Sequence, residues 1–586
     1  MRALAEDAYR PFLTFLSDEA LERIHQTALR ILSQIGVRIY SPNILRLLAD
    51  REGVSVDLEQ QVATFAPDAV QSAIAQAPSG FTLYGRDDAS SVTFSPTSRF
   101  VSQSIAGEYA WVDPVRKTRR DPTLADLAQC VTVADGLPNV DIVGAMVQPA
   151  EIPVAVRDIH IIAEMLKRTR KPVRTWIFNA TSARYVMELF QVVAGGAEGL
   201  RARPRGLLGF EPTSPLMLSQ DSLETLKTWV EAGQPVSIGP IVQPMGTGPV
   251  TLAGALAQQD AEILAGLVVA QALAPGVGAV YFGASLMLDP RTADSIFASP
   301  EQMLLMAGSG QLAHRHGLPA GMQMGLSDAK VPDAQAGMEK GTGLLMGALA
   351  GMNLTSGLGI AGCDQGASLP QLVVDDEIVG FVRAAMRGLA VNEETCAYEV
   401  IHRVGIGGNF LTDPHTLAHV RERWIPRLSD RHNWAGWQQG GSQTMFDRAV
   451  AEQERILREH ELEWLDEASM RELDRIVAAA AASRLKGVQH RPVRGTRFAD
   501  DDEAPVGTHG DGAEVVLPAS AEVGREHRPP EIGRQHKGRR VPGSGGARLH
   551  RAGVYREVGR VRETAQIDLP VVVHGDALSS IAGIAT

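Results

Sequence analysis

Charged side chains follow short apolar runs in the middle of this 586-residue chain. Glu211 comes directly after the run GLLGF, and Asp328 and Lys330 come shortly after the methionine-containing run PAGMQMG. Carboxylates and ammonium groups in turns can bind charged ligands or transfer protons. We therefore take Glu211, Asp328 and Lys330 as candidate catalytic residues.

Aromatic, amide and methionine side chains at other run ends form a candidate substrate-binding set. The set comprises Tyr109, Phe178, Phe210, Gln243, Tyr281, Phe282, Met322 and Met324. Ring faces and polarizable thioethers suit a methyl-rich cation that cannot donate hydrogen bonds, such as a quaternary ammonium. Each of these side chains, taken alone, is equally suited to fill the interior of a barrel, so only the cluster indicates a function.

The elements that position these residues follow a repeating pattern from about residue 100. Strands are expected at 100–109, 142–147, 173–178, 206–211, 236–241, 279–284, 319–325 and 353–359. Helices are expected at 122–136, 154–169, 182–195, 219–232, 252–273, 299–315, 333–350 and 374–389. Strands that alternate with helices imply a parallel sheet. Eight such units predict a (β/α)8 TIM barrel over about 100–390, with its site at the carboxyl ends of the strands. An open doubly wound sheet is the alternative, but no GxGxxG turn follows the first strand.

The flanking segments predict helical additions to this barrel. Residues 1–99 contain a helix that starts at Ser17 and ends at Gly36, followed by short extended pieces, which predict a helical and β cap. Residues 391–486 predict a helical appendage, with helices over 415–428, 444–460 and 468–486. Residues 487–586 lack sustained periodicity and are either a disordered tail or the product of a shifted reading frame; their composition favours the second.

Bulk composition narrows the class of partner. The formal net charge is −12, which argues against nonspecific binding of nucleic acid or an anionic membrane. The three cysteines are far apart and form no CxxC pattern, so neither a disulfide framework nor a clustered zinc site is expected. The start of the chain lacks a signal-peptide pattern, and no stretch is expected to span a membrane. We therefore expect a cytoplasmic protein that binds a small molecule and protein partners.

Three segments carry a resemblance to a known family. They are GFEPTSPL (209–216), LMLDPRTADSIFASPEQMLLMAG (286–308) and SDAKVPDAQAGME (327–339). Together they resemble the trimethylamine methyltransferase family over about residues 10–480. The resemblance implies a TIM barrel that passes a methyl group from a methylated amine to cob(I)alamin. It also implies that a separate corrinoid protein carries this cofactor, so that no cofactor is bound permanently.

One departure from the family bears on the substrate. Archaeal trimethylamine enzymes of the family carry pyrrolysine near the end of the seventh strand, where this chain has Met322–Gly325. The chain therefore resembles members without pyrrolysine, which act on quaternary amines such as glycine betaine. A betaine carboxylate would need a cationic partner. We prefer Lys330 to Arg174, because Arg174 lies early in its strand; the alternative role of Lys330 is an ion pair with Asp328.

The corrinoid is expected to come from outside this chain. The nearest approach to the cobalamin signature DxHxxG is the stretch 158–163, which lacks the glycine and lies in a predicted helix, so His160 is interpreted as a helix-face residue. A homo-oligomer is possible. Two other functions stay open: a metal-dependent lyase or hydrolase, with Glu108, Glu211 and Asp328 as its candidate ligands, and a noncatalytic quaternary-amine-binding protein.

Overall fold

The computed structural model describes residues 8–9, 12–462 and 464–484. These residues belong to one compact unit that spans Met1–Arg491. The irregular segment predicted for residues 487–586 lies outside the described residues.

The N-terminal part forms a cap of helices and short strands. Its elements are β1 (Ala8–Tyr9), α1 (Asp18–Arg30), β2 (Val37–Ile39), α2 (Pro42–Ala49), β3 (Val54–Asp57), β4 (Val62–Phe65), α3 (Pro67–Gln76), β5 (Phe81–Leu83) and β6 (Val92–Phe94). Helix α1 begins after Ser17, whose side chain accepts a hydrogen bond from the backbone N–H of Ala20. The helix predicted to reach Gly36 becomes a π-turn at Ile31–Ile35, and Gly36 then takes a φ of 81°.

The central part alternates strands with helices, as the sequence predicts. It comprises β7 (Val101–Ser104), β8 (Trp111–Asp113), β9 (Thr118–Arg120), α4 (Leu124–Gly136), β10 (Val143–Gly144), α5 (Val154–Arg168), β11 (Val173–Thr175), α6 (Ala180–Ala194), α7 (Ala197–Ala202), β12 (Gly206–Phe210), β13 (Met217–Leu218), α8 (Gln220–Glu231), β14 (Val236–Ile238), α9 (Leu252–Leu273), β15 (Ala279–Gly283), β16 (Met287–Leu288), β17 (Ser295–Ile296), α10 (Pro300–Arg315), β18 (Ala320–Met322), α11 (Ala334–Leu349), β19 (Leu354–Leu358), β20 (Ile360–Ala361), β21 (Gly366–Ala367), α12 (Leu369–Met386) and β22 (Leu389–Ala390).

Eight of these strands form a parallel sheet in the order β10-β11-β12-β14-β15-β18-β19-β7. A parallel bridge between Gln103 and Ile142 brings the first and last strands together. The predicted TIM barrel is therefore confirmed, and each predicted strand position contains one barrel strand. The observed strands are shorter than predicted: β7 ends at Ser104, and Glu108 beyond it forms an isolated parallel bridge with Val147.

Side chains along each barrel strand alternate between two environments. Leu207, Val280 and Phe282 belong to a buried cluster inside the barrel. Leu208 and Tyr281, one position away, belong to the core between the strands and the surrounding helices. A shift of one residue moves a side chain to the other face of the sheet. We call the choice of face for each position the strand phase. It decides which of the predicted site residues reach the barrel mouth.

Helices α13 (Glu393–Cys396), α14 (Tyr398–Val404), α15 (Pro414–His419), α16 (Trp434–Gln439), α17 (Met445–Glu459) and α18 (Glu467–Arg484) complete the described chain. Helix α17 packs against α12 and α4, and α18 packs against α5 and α6. The prediction of a helix over 415–428 is wrong beyond residue 422, because α15 continues only into a 3-10 turn at Val420–Glu422. Pro426 follows closely and disfavours helical backbone at the residue before it.

Helix α9 is the one described helix that is long and apolar enough to cross a membrane, contrary to the expectation of no such stretch. Most of its length is buried within the protein. It also carries fully buried polar residues, among them Asp260 and Glu262, which face neighbouring elements through hydrogen bonds. The apolar character of α9 therefore matches its position in the core.

A buried polar cluster joins α1 to the outside of the barrel. Asp260 on α9 contacts His25 Nδ1 of α1 at 3.1 Å and His316 Nε2 at 2.9 Å, and it accepts a hydrogen bond of 3.1 Å from the Tyr281 hydroxyl. Burial alone would raise the pKa of Asp260, but His316 and His25 hold it well below its usual range. The ionised carboxylate thus helps to attach the N-terminal cap.

We expect His25→Phe to lower the free energy of unfolding by about 1.5–3 kcal/mol, because it keeps an aromatic ring but removes one hydrogen bond to a buried carboxylate. Urea denaturation followed by circular dichroism measures the change. His432→Phe is the control, since His432 pairs with Asp430 while its side chain is 72% exposed. Solvent screens that exposed pair, so its loss should cost much less stability than the loss of the His25 contact. Equal losses in the two variants would contradict the assigned role of His25.

Candidate functional site

A cavity of about 1320 Å³ opens at the carboxyl ends of the barrel strands. Five carboxylates line it: Glu211, Asp289, Asp294, Asp328 and Asp364. Two cationic residues, Arg291 and Lys330, also line it. Arg291 forms an ion pair of 2.6 Å with Asp289, which leaves an excess of acidic groups. The cavity therefore attracts a small cation by its charge.

Glu211 is an acidic residue of the cavity whose pKa lies near neutral pH. Burial raises its pKa to about 7; Asp364 contributes in the same direction, while Arg174 opposes the shift. Both protonation states of Glu211 are therefore present at neutral pH. A cation that enters the cavity favours the ionised form, since opposite charges stabilise each other strongly in a site of low dielectric constant.

Glu108 and Asp364 form a second acidic pair beside this wall. Glu108 is buried, and burial together with the neighbouring Asp364 raises its pKa well above the usual range. Burial also raises the pKa of Asp364, while the hydrogen bond from Glu108 lowers it. Protonated Glu108 thus donates to Asp364 and leaves the negative charge on Asp364, which borders the cavity.

Trp176 lines the cavity, and Arg174 lies next to it behind the cavity wall. The Arg174 guanidinium is 4.9 Å from the centre of the Trp176 ring and 5.2 Å from that of Phe282. Burial lowers the pKa of Arg174 to about 10, although the charge of Glu211 opposes this shift. The Trp176 indole N–H donates to the backbone carbonyl of Ala106 at 3.1 Å, which orients the ring. Arg174 therefore remains charged at neutral pH within a largely apolar interior.

Five of the predicted site residues reach the cavity wall: Glu211, Asp328, Lys330, Gln243 and Phe210. The Asp328 carboxylate accepts hydrogen bonds from the backbone N–H groups of Phe297 and Ala298, and so holds the loop before α10. Lys330 is exposed, and its ammonium donates to the Asp328 backbone carbonyl at 2.7 Å and not to the carboxylate. Gln243 donates to Ser295 Oγ at 2.8 Å.

The other predicted residues lie away from the cavity wall. For several of them the reason is that their position on the strand faces outward, away from the barrel interior. Tyr281 faces outward to Asp260, and Met322 is fully buried in the core outside the strands. Met324 Sδ occupies the space beside Gly347 of α11, where a Cβ would lie only 1.7 Å away. Phe282 faces inward but packs beneath Arg174.

Among the other predicted aromatic residues, Phe210 borders the cavity, whereas Phe178 and Tyr109 do not line it. A Cβ added to Gly266 of α9 would lie 3.2 Å from Phe210 Cε1, so this ring points toward the helices although its residue borders the cavity. Phe178 lines a separate small cavity beside Trp176. Tyr109 is 52% exposed, with the Arg119 guanidinium 5.3 Å from its ring centre. These residues therefore do not form a methionine-rich aromatic mouth.

Sequence reasoning missed Trp176, Asp289, Asp294, Asp364 and Cys363, which line the cavity. Trp176 lies two positions after Arg174, so strand periodicity could have placed both on one face. Asp364 follows the eighth strand and could have been found from the strand-end rule. Burial, with nearby Asp328 and Asp364, raises the pKa of the Cys363 thiol to about 12. Cys363 is therefore protonated at neutral pH and a poor nucleophile.

Two further predictions concern a metal centre and the stretch 158–163, which was compared with the cobalamin signature DxHxxG. Among the described residues, the one group of histidine, cysteine and carboxylate side chains close enough to share a metal ion is His25, Asp260 and His316, outside the barrel. His160 lies half-buried on α5, and Asp158 accepts hydrogen bonds from Phe178 N and Ser182 Oγ. The residues 158–163 therefore form part of a helix, as expected from the sequence.

Comparisons with known proteins identify the family of this chain. Residues 5–484 match the family profile described as Trimethylamine methyltransferase (MTTB). A trimethylamine methyltransferase from Desulfitobacterium hafniense is 30% identical over 456 residues, which cover 78% of this chain and 91% of that protein. A glycine betaine methyltransferase from the same species is 31% identical over 481 residues, which cover 82% and 98%. The crystal structure of the Methanosarcina barkeri monomethylamine methyltransferase covers 76% of this chain and 88% of its own, with 12% identity and a TM-score of 0.45. The chain belongs to the trimethylamine methyltransferase family.

Proposed function

We propose that this protein transfers an N-methyl group from a quaternary amine of the glycine betaine kind to cob(I)alamin on a separate corrinoid protein. The acidic cavity at the strand ends, with Trp176 in its wall, is the observation that carries the proposal. Its relatives in the family include an enzyme named for glycine betaine and enzymes named for trimethylamine. The absence of pyrrolysine from the seventh-strand region favours the first of these substrates.

The residues of the cavity suit a permanent cation. Glu211 and Asp364 supply negative charge, and the indole ring of Trp176 can contact N-methyl groups through its face. A quaternary ammonium donates no hydrogen bonds, so it needs charge and ring faces more than polar acceptors. The side chains of the cavity wall provide both.

The reaction class requires little proton chemistry from this chain. A corrinoid supplies the nucleophile that accepts the methyl group. The electron pair of the broken C–N bond stays on nitrogen, so a quaternary substrate leaves as a neutral tertiary amine without a proton. The task of Trp176, Glu211 and Asp364 is then to orient the N-methyl group and exclude water, which gives an entropic advantage.

The cavity size fits delivery of the methyl acceptor from outside. Its volume of about 1320 Å³ exceeds the range of roughly 300–1,000 Å³ that is typical of small-molecule pockets. A small amine at the base leaves space above it, at the open end of the barrel. We infer that a corrinoid protein docks over this end.

All three cysteines are free thiols, which supports a reducing compartment such as the cytoplasm.

The test is a spectroscopic screen of methylated amines with cob(I)alamin. We expect glycine betaine to convert cob(I)alamin to methylcobalamin, and trimethylamine to give no conversion. Dimethylglycine, the tertiary product of betaine demethylation, serves as the negative control. Conversion with trimethylamine alone would contradict the proposed substrate. Saturable binding of glycine betaine without any methyl transfer, even to supplied corrinoid proteins, would identify a noncatalytic amine-binding protein.

A further inference from the structure

Arg174 is a buried cation with an unused hydrogen-bond donor. Its residue is 3% exposed, and Nη1 is buried without a hydrogen-bond partner among the described residues. Its close neighbours are the rings of Trp176 and Phe282, which cannot accept a strong hydrogen bond. Buried arginines are ordinarily paired because an unsatisfied charged group is costly in an apolar interior. The Glu211 carboxylate acts on this cation through its charge, but Nη1 still lacks an acceptor, which a ligand can supply.

The guanidinium lies directly behind the wall of the cavity. Gly209 lines the cavity, and a Cβ at this position would lie 2.6 Å from Arg174 Nη2 and 2.7 Å from the Trp176 ring. Any other residue at 209 would therefore displace Arg174 or Trp176. Glycine at this strand position keeps the guanidinium close to the cavity base.

A second unpartnered polar group lies on β14, the strand next to β12. Ser237 of β14 is the register partner of Gly209 in β12. Its hydroxyl is buried and has no hydrogen-bond partner among the described residues. Arg174 on β11 and Ser237 on β14 lie on either side of β12, and the guanidinium extends to Gly209 of β12. The guanidinium and the hydroxyl form a donor set that matches a carboxylate, which accepts hydrogen bonds on both oxygens.

The other cations at the cavity are already engaged. Lys330, which the sequence favoured as the carboxylate partner, is exposed and donates to the Asp328 backbone carbonyl. Arg291 binds the carboxylate of Asp289 through two hydrogen bonds. Arg174 combines a free donor with a buried position, where a charge-assisted hydrogen bond is stronger than at the surface. The structure thus reverses the order of preference between Lys330 and Arg174.

We propose that Arg174, assisted by Ser237, binds the carboxylate of a betaine substrate at the base of the barrel. This subsite rests on the proposed function, because it assumes a quaternary amine in the same cavity. A short zwitterion held by its carboxylate places its ammonium group farther up, toward Trp176, Glu211 and Asp364. One N-methyl group then faces the open end, from which the methyl acceptor approaches. Arg174 is in this way a specificity residue that selects amines with a carboxylate.

The test compares two ligands in the Arg174→Gln variant of the full-length protein. Isothermal titration calorimetry measures the Kd of glycine betaine and that of tetramethylammonium, which has the cation but no carboxylate. We expect the Kd of glycine betaine to rise by roughly 30-fold or more, as for loss of one partner of a buried charge pair. The Kd of tetramethylammonium should change by less than about threefold. Arg174→Lys should recover part of the betaine affinity, since it keeps the charge but lacks the planar fork.

Two controls make the outcome decisive. Arg116→Gln removes an arginine whose side chain is 80% exposed, and it should leave both affinities unchanged. Ser237→Ala should weaken glycine betaine alone, by roughly three- to tenfold, as for loss of one hydrogen bond. Wild-type affinity for glycine betaine in Arg174→Gln, or an equal loss of both ligands in the folded variant, would overturn the subsite. Failure of the wild-type protein to bind or demethylate any quaternary amine would instead contradict the proposed function.

Discussion

Replacement of Lys340 by methionine is expected to lower the free energy of unfolding by about 3–5 kcal/mol. The Lys340 ammonium and the Asp375 carboxylate are 2.8 Å apart, and both side chains are fully buried. Methionine fills a similar volume but leaves Asp375 without its counter-ion. The carboxylate keeps only neutral partners, the Gly359 backbone N–H and the Gln371 amide. An uncompensated buried charge is among the most destabilising single changes.

The same lysine also holds the barrel mouth. Its ammonium donates to the backbone carbonyls of Gly325 and Gly357, which lie after β18 and within β19. Lys340→Met should therefore increase amide hydrogen exchange at these two strand ends more than elsewhere in the barrel. The strand ends nearest the cavity would show the effect first.

Guanidinium chloride denaturation, followed by circular dichroism, measures the loss of stability. Combining Lys340→Met with Asp375→Leu should recover most of it, because the pair is then replaced by apolar groups of similar size. Arg471→Met is the matched control, since it breaks an exposed pair with Glu467 on α18. A loss below about 1 kcal/mol in Lys340→Met, similar to that of the exposed pair, would contradict the importance of the buried one.

Replacement of Glu211 by glutamine is expected to lower kcat/KM for glycine betaine by roughly 100-fold. Two opposite unit charges about 6 Å apart, at an effective dielectric constant of about 20, attract by about 3 kcal/mol. Loss of that attraction corresponds to a change of roughly 100-fold. Glutamine keeps the shape of the side chain but removes its charge. Methyl transfer to cob(I)alamin over a range of betaine concentrations measures the effect.

The pH profile identifies the group responsible. The pKa of Glu211 is raised to about 7, so its negative charge is mostly absent below that pH and mostly present above it. In the wild-type protein kcat/KM should therefore rise with pH through about 7, and the Glu211→Gln profile should be flat there. Bound cation stabilises the ionised carboxylate, so the corresponding rise in kcat should lie at lower pH.

A glutamate away from the cavity lining provides the control for Glu211→Gln. Glu198→Gln changes a glutamate in the first turn of α7, away from the cavity lining, and should preserve both the rate and its pH dependence. If Glu211→Gln retained the wild-type rise near pH 7, another group would be responsible for the titration.

Local sequence patterns determined the architecture of this protein. The run at 279–284 and the apolar pattern at 252–273 correspond closely to β15 and α9. Strand and helix periodicities can be recognised because they depend on the spacing of neighbouring residues. Repetition of such pairs eight times was enough to predict a closed barrel, and the strand-end rule then located Glu211 and Asp328 at its mouth. The family resemblance likewise lay in contiguous segments of the chain.

Only the tertiary structure decided which side chains share an environment. Tyr281 and Phe282 are neighbours in sequence, yet one faces Asp260 outside the barrel and the other faces Arg174 inside it. Strand phase depends on pairing register with distant strands, and no local pattern reveals it. The contact between Glu108 and Asp364 and the unused donor of Arg174 likewise arise from residues far apart in the chain. Burial and the distances between charges set pKa values, and both come into existence only when the barrel closes.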